Sequence, residues 1–223
     1  MSWLRLVIFD CDGVLVDSEG VSARVLRDTA AENGVEFSDT AAHEFMGRRW
    51  SDLQADFEIL CGTKFGAGWP LVMQEKLLAM MRRDGLPLCP GAREAIEVVR
   101  NLGLPYRIAS NSSRAEMAGK FALSGLLPLV DGRYHSSGDG GRGKPAPDVY
   151  LAAAAAENIA PKNCLAIEDS VPGVTAAIAA GMRCLGYAHG EDAAKLASLG
   201  ARPIASLFEI PAILRAALQD TAA

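Results

Sequence analysis

Residues 4–19 read LRLVIFDCDGVLVDSE, and the reading of this stretch decides the fold. The apolar run 4–9 stops at Asp10-Cys11-Asp12-Gly13, the pattern of a buried strand whose carboxyl end meets a polar turn. If the extended backbone persists, its two-residue period puts Asp10 and Asp12 on one side, with Cys11 opposite. Paired acids repel, so a merely structural turn explains them poorly. Both are candidate functional residues.

Similar runs recur at 106–109, 164–167 and 183–187, each followed by a polar or glycine-bearing turn and a helix-like segment. Helical patterns cover 91–102, 114–124, 147–158 and 171–181, the last ending on a glycine suited to the C′ position. This alternation predicts an α/β fold, a doubly wound parallel sheet with ligands at the carboxyl ends of its strands. Between Val14 and Pro90 the texture changes to helical patterns at 18–33, 40–46, 51–61 and 70–83. The expected organisation is a core of residues 1–14 and 90–223, interrupted by an all-helical insertion, 15–89.

Composition narrows the class. At about 150 residues per domain, 223 residues make one domain, or one with a sizeable insertion. Half the residues are hydrophobic and 22% charged, which excludes a disordered chain. No apolar run approaches the ~18 residues of a membrane span, and the N-terminal run is too brief for a signal peptide. A net charge of −5 without a basic run argues against nucleic-acid binding. Five scattered cysteines without a C-x-x-C pair read as reduced, packed thiols, and His43, His135 and His189 lack metal-ligand spacing. The expectation is a soluble cytoplasmic protein, monomeric by default.

Glu168 and Asp169 end the 164–167 run. If that edge coincides with Asp10 and Asp12, three or four carboxylates converge. At ~4 Å, two like charges repel by about 4 kcal/mol at an effective dielectric near 20, so the cluster requires a cation. Oxygen-only donors select a hard metal, with Mg²⁺ the expected one. Ser110 and Asn111 open the turn after 106–109, where backbone N–H groups, a hydroxyl and an amide can hold an anion; a plain helix cap reads equally well. Lys144 stands in Gly-Lys-Pro-Ala-Pro-Asp, whose prolines stiffen the chain and suggest an ammonium delivered to the strand ends rather than a solvated one.

Together these pieces resemble the haloacid dehalogenase superfamily over the whole chain. Phe9 to Glu19 looks like motif I, Ala109-Ser110-Asn111 like motif II, the Lys144 segment like motif III, and Ile167 to Gly173 like motif IV. The insertion resembles the C1 cap of the β-phosphoglucomutase-like and sugar-phosphate phosphatase branch, and the core would be Rossmann-like. The resemblance implies an aspartyl-phosphate mechanism. Asp10 would attack phosphorus and Asp12 would serve as acid and base. Mg²⁺ would sit on the Asp10 carboxylate, the Asp12 carbonyl and Glu168/Asp169, while Ser110, Asn111 and Lys144 would hold the phosphoryl group.

Within that branch, Asp12 argues against a dehalogenase, and neither Lys64 nor Lys76 has a phosphonatase context. Phosphomutase is the main alternative, but Ser22 replaces the histidine found ten residues after the acid/base in such enzymes. Met46-Gly47-Arg48-Arg49-Trp50 also departs from their cap loop, which has Lys before the glycine and Arg three residues after it. Hydrolysis of a small phosphorylated metabolite is the favoured reading. Arg48 and Arg49 are candidate substrate contacts beside Trp50, against a plain solvated basic turn. A non-catalytic phosphate- or partner-binding regulator is a minor alternative, and a receiver domain is too short to match. The chain crossings 14–18 and 86–90 are the places for a cap hinge.

Overall fold

The computed structural model describes residues 2–38, 41–42, 45, 48–189 and 192–220. Its frame is a six-stranded, all-parallel sheet in the order β3-β2-β1-β4-β5-β6. The strands are β1 (Leu6–Phe9), β2 (Tyr106–Ser110), β3 (Tyr134–Ser136), β4 (Cys164–Glu168), β5 (Arg183–Tyr187) and β6 (Arg202–Ile204). Register levels the carboxyl ends: Phe9 stands opposite both Ile108 and Ile167, so Asp10 falls level with Ala109 and Glu168. The Asp10 N–H still donates to the Ile167 carbonyl at 2.9 Å.

Alternation along β1 explains the double winding. Leu6 and Ile8 join one buried cluster with α7 (Asp148–Ala156), α8 (Val171–Ala179) and α9 (Ala193–Ser198). Val7 and Phe9 join the other, with α4 (Ala92–Asn101), α5 (Arg114–Leu123) and α10 (Ile210–Gln219). The short helix α6 (Leu127–Val130) leads into β3. The doubly wound, Rossmann-like architecture is therefore the one expected. Gly181 follows α8 with φ +79°, as a C′ glycine should.

Helices α1 (Glu19–Glu32), α2 (Trp50–Cys61) and α3 (Trp69–Asp84) lie between β1 and α4. Both α1 and α2 pack on α3, which in turn packs on α5 of the sheet layer. Phe57 stacks on Phe65 and Trp69, and these helices share one buried cluster with the Val7/Phe9 face of the sheet. The two chain crossings run side by side, with Asp17 N donating to Pro87 O and Cys89 N to Leu15 O.

Several expectations need correction. The first strand begins at Leu6, not Leu4, and β3, β6, α9 and α10 were not anticipated. Edge strands of three residues have no apolar run to betray them, and Pro203 is tolerated in β6 because it is an edge. In the helix expected over 40–46, Thr40, His43, Glu44 and Met46 lie outside the described residues, as does Gly47 of the following loop. All five cysteines are free and buried. Among the described residues, no helix is long and apolar enough to cross a membrane.

Candidate active site

One carboxylate oxygen each from Asp10, Glu168 and Asp169 lies within 4.8 Å of the others at the carboxyl edge of β1 and β4. Lys144 enters this group from the side. Its Nζ donates to Asp10 Oδ1 at 2.6 Å, Glu168 Oε1 at 2.5 Å and the Ala109 carbonyl at 2.9 Å. Its backbone N–H donates to Asn111 Oδ1 at 2.8 Å, so motif II holds the loop that delivers the ammonium. Glu168 is fully buried and also accepts from the Tyr150 hydroxyl at 2.6 Å and from Ser170 Oγ at 3.2 Å.

Two glycines make room for the acids. A Cβ on Gly173, in the first turn of α8, would lie 2.0 Å from the Glu168 carboxylate. Gly13 has φ +76°, and a Cβ there would meet Asp169 Oδ2 at 1.8 Å.

The electrostatics are those of a site short of positive charge. Burial, followed by the charge of Glu168, pushes the Asp10 carboxyl up to about 7 even with Lys144 beside it. Burial and the charges of Glu168 and Asp10 hold Asp169 well above the carboxylate range. Desolvation works against the Lys144 ammonium, but Asp10 and Glu168 more than offset it and raise its pKa. Among the described residues, nothing offers a hydrogen bond to the buried Asp169 Oδ1. Three carboxylates against one ammonium, all oxygen donors, one of them orphaned, fit a hard divalent cation such as Mg²⁺.

Asp12 does not join the trio. The two-residue alternation ends with the strand at Phe9 and the chain bends at Cys11, so the Asp12 carboxylate turns to a different cation. Lys120 Nζ donates to Asp12 Oδ1 at 2.6 Å, and Ser18 donates to the same oxygen. Ser112 Oγ lies 3.0 Å from Asp12 Oδ2. Burial alone would raise the Asp12 pKa; the Lys120 charge and these bonds outweigh it and hold the carboxyl below its usual range. Three acids converge, not four, although Asp12 still lines the same cavity.

Around the turn after β2, Ser110 Oγ accepts from the Ser112 N–H at 3.0 Å, while Ser113 caps α5 by accepting from the Glu116 N–H. The helix cap therefore falls on Ser113, not on Ser110 or Asn111. Arg48 and Arg49 both pair with aspartates of α2. Arg48 pairs with Asp56 at 2.7 Å, and Arg49 pairs with Asp52 at 2.6 Å while donating to the Gly141 carbonyl at 3.2 Å. Trp50 packs edge-on against Trp69, and its Nε1 donates to Glu116 Oε2 at 3.3 Å.

The sequence reading missed Lys120, Glu116, Ser112 and Tyr150. Glu116 and Lys120, four apart on a helix, have the spacing of a solvent-facing pair, yet Lys120 is only 2% exposed. Ser112, Glu116 and Lys120 join Asp10, Asp12 and Asp169 in lining a cavity of about 520 Å³ between the inserted helices and the sheet edge.

A parallel sheet with a buried carboxylate–ammonium cluster at its carboxyl edge, beside a cavity bordered by the inserted helices, defines a Rossmann-like α/β protein. The haloacid dehalogenase-like hydrolase family model matches residues 4–181, and the chain belongs to that family. Hexitol phosphatase B of Escherichia coli K12 is 32% identical over 181 residues, covering 80% of this chain and 81% of that protein. The bifunctional riboflavin kinase/FMN phosphatase of Arabidopsis thaliana is 29% identical over 184 residues, covering 80% of this chain. This chain spans about half, 47%, of the length of that plant protein. Among solved structures, a HAD family hydrolase from Deinococcus radiodurans R1 with bound phosphate and sodium is 35% identical. It superposes with a TM-score of 0.77, with all of both chains covered.

Proposed function

We propose that this protein is a Mg²⁺-dependent phosphatase of small phosphorylated metabolites, working through an aspartyl-phosphate on Asp10. The observation that carries the reading is the Asp10–Glu168–Asp169 trio with Lys144 among its oxygens and Asp169 Oδ1 unsatisfied. The phosphatase names of the two relatives support it. Asp10, Glu168, Asp169 and the Asp12 carbonyl would hold Mg²⁺, which when bound supplies charge neutralisation and orientation for a phosphoryl group. Residues 15–89 serve as the cap over a core of 1–14 and 90–223.

In the first half-reaction an Asp10 oxygen forms a bond to phosphorus. The ester P–O bond breaks, and the departing oxygen takes from Asp12 a proton that the otherwise ionised carboxyl picks up from solvent once the negative charge of the substrate lies beside it. In the second, Asp12 takes a proton from water as the water oxygen attacks phosphorus, releasing inorganic phosphate and restoring Asp10. Lys144, Ser110 and Asn111 hold the phosphoryl oxygens. Lys144 also keeps the entering dianion from meeting an uncompensated cluster of acids.

Hydrolysis is favoured over transfer to a second hydroxyl because a mutase must grip a second phosphate. Here Arg48 and Arg49 are neutralised by Asp56 and Asp52 of the cap itself. The test is a panel of phosphate esters assayed with Mg²⁺ for phosphate release, with glucose-1-phosphate isomerisation measured alongside. Phosphate release from one or more esters is expected. Isomerisation outpacing release would instead mean a mutase, and inertness across the panel would leave a binding regulator.

A further inference from the structure

Lys120 is an ammonium almost wholly withdrawn from water, between the buried Met117 and Phe121 of α5. Lysine is rarely buried unless paired, and an i,i+4 pair with Glu116 forms readily at a surface without any burial cost. Burial here serves another contact, since Nζ reaches Asp12 Oδ1 across 108 residues of chain. Glu116 Oε1 accepts from Lys120 at 2.5 Å and lies 2.8 Å from Ser112 Oγ. Its other oxygen receives the Trp50 N–H from the cap.

The bonds are unevenly divided over the Asp12 carboxylate. Among the described residues, Oδ1 takes both Lys120 and Ser18, while Oδ2 has only Ser112. A carboxylate has about four lone-pair positions, so Oδ2 keeps one to spare. The Asp12 side chain is 24% exposed and lines the cavity. We infer that Lys120 is a positioning residue for Asp12, pinning Oδ1 so that Oδ2 exchanges the proton with the leaving oxygen. Glu116 fixes Lys120 in turn and ties this arrangement to the seated cap through Trp50. The inference rests on the phosphatase reading, which assigns Asp12 that proton.

Leaving-group dependence separates positioning from mere structure, because p-nitrophenolate departs with little help from an acid and an alkoxide does not. The variant Lys120→Met/Glu116→Gln removes one charge of each sign. It is expected to lose roughly 100-fold in kcat/KM on an alkyl phosphate and less than about tenfold on p-nitrophenyl phosphate, kcat/KM reporting phosphoryl transfer to Asp10 and not the hydrolysis of the aspartyl-phosphate that both esters share. Lys120→Arg retains the charge in a different shape and should show the same selectivity, more weakly. If the double variant does not fold, Lys120→Arg alone decides, and parent-like kinetics on both esters would overturn the inference. Equal losses on the two esters in a folded variant would overturn it as well. A parent enzyme that turns over neither ester nor any other phosphate would instead defeat the phosphatase reading, and this inference with it.

Discussion

Glu168 and Asp169 are neighbours in sequence with different duties. Glu168 gives its oxygens to Lys144, Tyr150 and Ser170, so it anchors the ammonium and the start of α8. Asp169 retains a buried oxygen without a partner, and Asp10 is held up to about 7 by burial and by Glu168. A carboxyl raised in this way keeps its proton to higher pH, whereas Mg²⁺ binds the ionised form and displaces the proton. Apparent Mg²⁺ affinity should therefore increase as pH rises to about 7, by up to about tenfold per unit for each proton displaced. Calorimetric titrations across that range test this; a pH-independent affinity would contradict it. Asp12, already held below its ordinary range, adds nothing to that slope. Asp12→Asn should slow alkyl-phosphate hydrolysis by about 10²- to 10⁴-fold in steady-state assays while leaving Mg²⁺ affinity near that of the parent.

Among the elements, the junction of β4 with α8 is packed to the limit. Gly173→Ala would press a methyl into the Glu168 carboxylate, which is buried and bonded on both oxygens. A cost of about 1–3 kcal/mol in urea unfolding is expected, together with weaker Mg²⁺ binding. An alanine variant of parental stability would show that the junction has slack. The same junction shows what could be read in advance. Asp10, Glu168 and Asp169 were legible because charged residues interrupt apolar runs where strands end, and Lys144 because two prolines stiffen the loop that carries it. The four inner strands were legible as those runs. The direction of Asp12 was not, because alternation gives no guidance once β1 stops at Phe9. Lys120 and Glu116 were not, because their helical spacing is the same whether the face is wet or dry. The three-residue edges β3 and β6 lack the length to carry a pattern.

At the scale of the whole molecule, the inserted helices are not a separately cored unit. Leu53, Phe57, Met73 and Leu77 belong to one buried cluster with Val7, Ile96 and Leu214 of the sheet layer. Unfolding should be a single transition, with the fluorescence of Trp50 and Trp69 in the cap coinciding with loss of helical circular dichroism. An early fluorescence change would show instead that the cap melts alone. The Arg49 contact to Gly141 and the Trp50 contact to Glu116 place side chains of the inserted helices on the sheet layer near Lys144 and Asp12, so in the proposed function cap seating and chemistry would share atoms. In the proposed function all of this would serve one event, attack by Asp10 on phosphorus. Fluoroberyllate, which mimics a phosphoryl group on a carboxylate, tests it most directly by ¹⁹F NMR. Bound resonances that require Mg²⁺ are expected in the parent and in Asp12→Asn, and none in Asp10→Asn; bound resonances persisting in Asp10→Asn would contradict the account.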